Sequence, residues 1–184
     1  MKAPVEAIYT ITPNSNNLTK TRELAEVAVI SALYVALTYL VAPVAYGPIQ
    51  FRISEALVIL VAARRHLLWF VPVGCVVANL LSPYAGVWDL VFMPVMSTVG
   101  ALPLFFLGRR FVLAAGWFYA VVTGLSVALM ISVIEGGGFA ALAASVTASQ
   151  LIIMTIGWLL LSGYLMVFKS GGKGKRGEAR GTDG

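Results

Sequence analysis

Charge is what this sequence has least of. Asp, Glu, Lys and Arg make up 11% of its 184 residues, while 59% are hydrophobic; soluble domains carry about 25% charged residues. A deficit of that size excludes an ordinary water-facing surface and makes lipid the solvent for most of the chain. There is one cysteine, Cys75, so an internal disulfide is excluded, and its place in an apolar run reads as a small buried hydrophobe. The single histidine, His66, sits beside two arginines and reads as solvated. With no cluster of His, Cys and carboxylates, no metal site and no cofactor is expected. No Ser, His and Asp set falls on one side of the membrane, and there is no G-x-x-x-x-G-K-[ST] phosphate loop, so neither an enzyme nor a self-contained ATPase is expected. Lys2 leads into the mixed "AIYTITPNSNNLTK" rather than an apolar stretch, so no cleavable leader is expected. No internal repeat suggests the two-half architecture of many secondary transporters.

What is present is hydrocarbon in six runs. A spanning helix takes about 20 apolar residues. The runs are 24–42, 53–63, 67–81, 89–107, 111–134 and 139–168. Pro43 stops the first, and Thr21 can cap its start with Glu23 and Glu26 near the positive end of the helix dipole. Runs two and three are short. They read as two thin spans, the alternative being a re-entrant hairpin, and either leaves the later helices in the same orientation. The expected fold class is therefore an all-α integral membrane protein, a six-transmembrane-helix bundle over 21–168. Residues 1–20 form a cytoplasmic N-terminal segment, and the Gly-rich, charged 169–184 a disordered basic tail.

The basic residues orient it. Lys2, Lys20 and Arg22 precede the first run; Arg64 and Arg65 follow the second; Arg109 and Arg110 follow the fourth; Lys169, Lys173, Lys175, Arg176 and Arg180 follow the sixth. Six crossings put all of them on one side and leave Arg52 alone on the other. The positive-inside rule makes that side, and both termini, cytoplasmic in a cell membrane. The glycosylation-like "NLT" at Asn17 is then inert.

With that orientation the intramembrane polar groups gather in the outer half. Gln50, Arg52 and Glu55 start the second run. Asn79 ends the third, followed by Tyr84, Trp88 and Asp89; Gln150 lies deeper in the sixth. Each has a plain structural reading. Arg52 and Glu55, three apart, neutralise each other on one helix face; Tyr84 and Trp88 are interfacial aromatics; Asp89 caps a helix; Glu135 is a loop charge; Gln150 bonds two helices. Their shared depth is what those readings leave over, and it fits a pocket for a polar, planar ligand. In the first run Ala28, Ala32 and Ala36 form a stripe of small residues at a spacing of four, the kind that lets helices approach closely in lipid.

"AVISALYVALTYLVAPVAYGPIQFRISEALVIL" and "GCVVANLLSPYAGVWDLVF" resemble the queuosine-precursor family of substrate-binding subunits in energy-coupling factor transporters, over about residues 25–107. The resemblance implies a six-helix capture subunit without ATPase activity. Such a subunit docks through an alanine stripe, here Ala28, Ala32 and Ala36, onto a transmembrane coupling subunit that carries two cytoplasmic ATPases. The implied ligand is a 7-deazaguanine. A carboxylate accepts from its ring N–H and exocyclic amine together, Glu55 being the first choice and Asp89 the second. Arg52 or Gln50 donates to its carbonyl, and Tyr46, Tyr84 or Trp88 stacks on the ring. The alternatives are a capture subunit for thiamine, riboflavin or a pterin, and a small membrane structural or assembly protein whose polar groups only tie helices together.

Overall fold

The computed structural model describes residues 15–46, 50–80, 82 and 85–178; the side chains of 15–17, 109 and 164–178 also lie outside the description. Every regular element among the described residues is helical. Four helical stretches are long and apolar enough to cross a membrane: Leu18–Leu40, Trp88–Leu107, Val112–Glu135 and Phe139–Gly163. Their large apolar side chains point outward freely, with Leu40 79% and Leu24 70% exposed. Water would not tolerate so much exposed hydrocarbon, and lipid does. The chain is an all-α, multi-pass membrane protein.

α1 (Ser15–Leu40) begins well before Thr21, so Thr21 lies inside the helix and is not its cap. No Pro or Gly occurs between Pro13 and Leu40 to stop the helix from extending back. Pro43 sits in the first turn of α2 (Ala42–Ala45), where a missing N–H does no harm. Two short legs follow. The first is a 3-10 helix, Ile53–Ala62; the second is a 3-10 turn, Arg65–Trp69, leading into α3 (Phe70–Asn79). A π-helical turn, Trp88–Phe92, opens α4 (Met93–Leu107). α5 (Val112–Glu135) ends at Gly136, whose φ of 73° is a left-handed helix stop. α6 (Phe139–Glu178) carries its helical backbone past Phe168, through Gly171, Gly172 and Gly174, into the region where the sequence suggests a disordered tail. The six runs of the sequence thus appear as four long helices and two short legs.

The short legs run alongside α1. Going down α1, Thr38 Oγ1 meets Ser54 Oγ at 2.7 Å, Tyr34 meets Glu55 at 2.8 Å, and Glu26 meets Arg64 at 2.5 Å. The 3-10 helix is therefore antiparallel to α1. α3 returns: Phe70 stacks near Tyr34 with ring centroids 6.2 Å apart, and Ala78 meets Tyr46 near the far end. Ten residues of α-helix reach about 15 Å, whereas ten of 3-10 reach about 20 Å. Side-chain ties to α1 at both ends of the leg favour the longer form.

α5 is the hub, packed along both α4 and α6. Val58, Phe70, Leu104, Tyr119 and Met154 join in one buried cluster that draws on the first leg, α3, α4, α5 and α6. Two glycines let backbones touch. A Cβ on Gly124 would lie 2.8 Å from the Thr147 Cα, and one on Gly157 would lie 2.8 Å from the Ala56 carbonyl oxygen. Gly124→Leu should accordingly pry α5 from α6 and lower unfolding free energy by about 1–3 kcal/mol. Thermal unfolding in detergent checks this, with Gly138→Ala, which has open space around it, as the neutral control.

Candidate functional site

At one end of the bundle a buried polar cluster joins α1, the first leg, α3, α4 and α5. Glu55 lies at the start of the 3-10 helix and is 3% exposed. Its Oε1 accepts from the Tyr34 hydroxyl at 2.8 Å and its Oε2 accepts from the Tyr119 hydroxyl. One carboxylate thus fastens the first leg to α1 on one side and α5 on the other.

Arg52 does not pair with Glu55 among the described residues. Its Nε donates to the Ala45 carbonyl and its Nη1 to Asn79 Oδ1, both at 3.1 Å, and its guanidinium lies 5.0 Å from the centre of the Tyr46 ring. The extended backbone at Arg52, just before the helix starts, turns its side chain away from the face that holds Glu55. Asn79 is used at both ends: besides accepting from Arg52, its Nδ2 donates to the Asp89 carbonyl at 2.9 Å. The Tyr46 hydroxyl donates to the Ala78 carbonyl at 2.6 Å, and burial pushes that phenol above its usual pKa. Arg52, Asn79 and Tyr46 therefore lock α2, the first leg, α3 and the π-turn into one corner.

Three other side chains are buried with polar atoms left over. Gln50 is fully buried at a φ of 48°, strained for a residue with a Cβ, and neither end of its amide has a hydrogen-bond partner among the described residues. Asp89, in the π-turn, is fully buried; Ser82 approaches it, but neither carboxylate oxygen completes a well-formed hydrogen bond among the described residues. Gln150 is 1% exposed, and its Oε1 has no partner among the described residues. α5 and α6 run antiparallel, Gly124 against Thr147 and Gly116 against Met154, which sets Gln150 level with Ala120, one residue from Tyr119. Buried polar atoms without partners are rare, because each costs about 1–3 kcal/mol.

The structure thus brings Tyr46, Arg52, Asn79 and Asp89 together, with Glu55 beside them on the same leg. Trp88 is partly exposed, edge-on to Phe92 at 5.3 Å. Tyr84 lies outside the described residues. Asp89 sits within the π-turn rather than capping a helix. Ala28, Ala32 and Ala36 are all exposed along α1, while Ser31, Tyr34 and Thr38 are buried on its opposite side. His66 is not simply solvated: its Nε2 lies 2.8 Å from Glu26, which also holds Arg22 and Arg64. Sequence reasoning missed Tyr34 and Tyr119. The available signal was a glutamate in hydrocarbon, which needs donors, and two phenols in apolar runs able to supply them.

A model of the QueT transporter family matches residues 24–165. The chain belongs to the QueT transporter family. Gln50, Glu55, Asn79, Asp89 and Gln150 all fall inside the matched region. A curated relative, the queuosine precursor transporter QueT of Lactococcus lactis subsp. cremoris (strain MG1363), is 38% identical over 65 residues, covering 34% of this chain and 38% of that protein. The alignment spans well under half of the relative's length. No solved structure matches the chain.

For this QueT-family chain the Glu55 clamp sets a stability test. Tyr119→Phe leaves a buried carboxylate one donor short and should lower unfolding free energy by about 1–3 kcal/mol. Tyr39→Phe removes a buried hydroxyl that has no partner among the described residues and should cost nothing in the same thermal assay.

Proposed function

We infer that this chain is the substrate-capture subunit of an energy-coupling factor importer, taking a 7-deazaguanine queuosine precursor from outside the cell. In this reading the chain crosses the membrane six times, the two short legs included, with both termini cytoplasmic. The antiparallel return of the legs along α1 and the added reach of 3-10 geometry support that count. So does the position of Arg64 and His66 beside Glu26, at the basic end, with Arg52 at the other.

The observation that carries the ligand reading is the set of buried, unsatisfied groups on Gln50, Asp89 and Gln150. A 7-deazaguanine offers a ring N–H and an exocyclic amine side by side, with a carbonyl next to them. Asp89 suits the two donors, because its oxygens lack well-formed bonds while those of Glu55 already take two phenols. Gln50 suits the carbonyl and Gln150 a further donor. Arg52, Glu55, Asn79 and Tyr46 form the scaffold that holds the acceptors in place, Trp88 and Tyr84 being the candidates to cover the ring. The printed name of the Lactococcus lactis relative points to the same ligand class.

Delivery needs partners. The exposed Ala28, Ala32 and Ala36 stripe is the docking face for the transmembrane coupling subunit, which in turn carries two ATPases. Small side chains let a partner helix approach within van der Waals range over several turns.

Two measurements test this. Equilibrium binding to the purified chain should show a 7-deazaguanine bound and thiamine and riboflavin ignored, and Asp89→Asn should weaken binding about 100-fold through lost charge-assisted bonds. Unchanged affinity in that variant would reduce the polar cluster to helix glue. Ala32→Leu should abolish cellular uptake at normal expression while leaving affinity unaltered; a collapse of affinity would mean that the stripe serves the chain's own fold.

A further inference from the structure

A hollow lies at the opposite, basic end of the bundle, away from the Gln50 and Asp89 cluster. It is a cleft of about 750 Å³ with α1 and α6 as walls and the first 3-10 leg as floor. Its lining is apolar, with Val29, Leu57, Leu60 and Leu160 among the residues, until it reaches one polar rim made by Arg22, Glu26 and Arg64. Gly157 brings α6 directly onto the Ala56 backbone, which fixes the depth of the floor.

We propose that this cleft is a binding site for an anionic phospholipid, one acyl chain lying along Val29, Leu57, Leu60 and Leu160 and the phosphate held by Arg22 and Arg64. Three observations carry it. At about 750 Å³ the cleft has volume enough for a single hydrocarbon chain. The rim is cationic, because two guanidiniums share one carboxylate: Arg22 Nε and Arg64 Nη1 both donate to Glu26 Oε1, at 3.3 and 2.5 Å. Arg22 uses one of its five donors there and stays 76% exposed, leaving its fork open to a phosphate. The rim also lies at the end rich in basic residues, which the positive-inside rule assigns to the cytoplasmic leaflet, where anionic headgroups concentrate. Glu26 acts as the spacer that keeps the two guanidiniums side by side, with His66 bonded to its other oxygen.

The cleft adjoins the alanine stripe, since Ala25 and Val29 line it on the neighbouring face of α1. A lipid seated there extends the surface that the stripe presents. The inference stands apart from the identity of the transported ligand.

The test uses the full chain in mixed micelles with phosphatidylglycerol or phosphatidylcholine of the same acyl chains, read by native mass spectrometry and by thermal unfolding. One phosphatidylglycerol should be retained per chain and should raise the melting temperature, with phosphatidylcholine doing neither. Arg22→Gln should weaken phosphatidylglycerol retention about fivefold, Lys20→Gln, exposed on α1 but outside the cleft, should leave it alone, and Val29→Trp should block the slot. Equal retention of both lipids, an equal loss in Lys20→Gln, or full retention in Val29→Trp would each overturn the site; the last would leave a partner helix as the cover for this face.

Discussion

A single carboxylate in hydrocarbon organises this bundle. Glu55 is too costly to keep in oil alone, and its two oxygens are met by phenols from two different helices. Because Tyr34 and Tyr119 stand on either side of the first short leg, the demand of one charge for donors becomes a three-way clamp among α1, that leg and α5. The leg has few other ways to be held in register. It is short and apolar nearly all round, and apart from the Ser54–Thr38 hydroxyl contact its packing is largely non-directional. Hydrogen bonds to a charge supply the direction that hydrocarbon contacts lack.

The clamp divides the polar groups into two kinds. Glu55, Asn79 and Tyr46 are committed to the fold, and Arg52 is bound to a carbonyl, an amide oxygen and a ring face. Gln50, Asp89 and Gln150 are equally buried and yet hold atoms back. A protein under selection for stability alone has no reason to keep three such residues in its interior. The strained backbone at Gln50 and the π-turn around Asp89 mark the same corner, and irregular backbone of this kind gathers where side chains must be aimed rather than merely packed.

The sequence made the long helices legible, because hydropathy is a property of the chain itself. It also made legible the meeting of Tyr46, Arg52, Asn79 and Asp89 at one end of the bundle. Individual pairings were not. Arg52 and Glu55, three apart, look like an ion pair on any helical wheel. The extended backbone at Arg52 and the 3-10 winding that follows turn the two side chains to different partners. The hold on Glu55 was likewise hidden, since one of its two phenols, Tyr119, lies 64 residues along the chain from it. The alanine stripe could be read from spacing, whereas its exposure depended on which side of α1 Tyr34 and Thr38 occupied.

The 3-10 winding of the first leg has an evolutionary corollary. At about 120° and 2 Å per residue, losing or gaining one position would swing everything beyond it by a third of a turn and shift it by most of the length of a hydrogen bond. Glu55 and Arg64, fastened at opposite ends to different levels of α1, would then no longer both find their mates. The interval between them is a fixed gauge: its hydrocarbon side chains can be exchanged, but its length cannot change without unfastening one end.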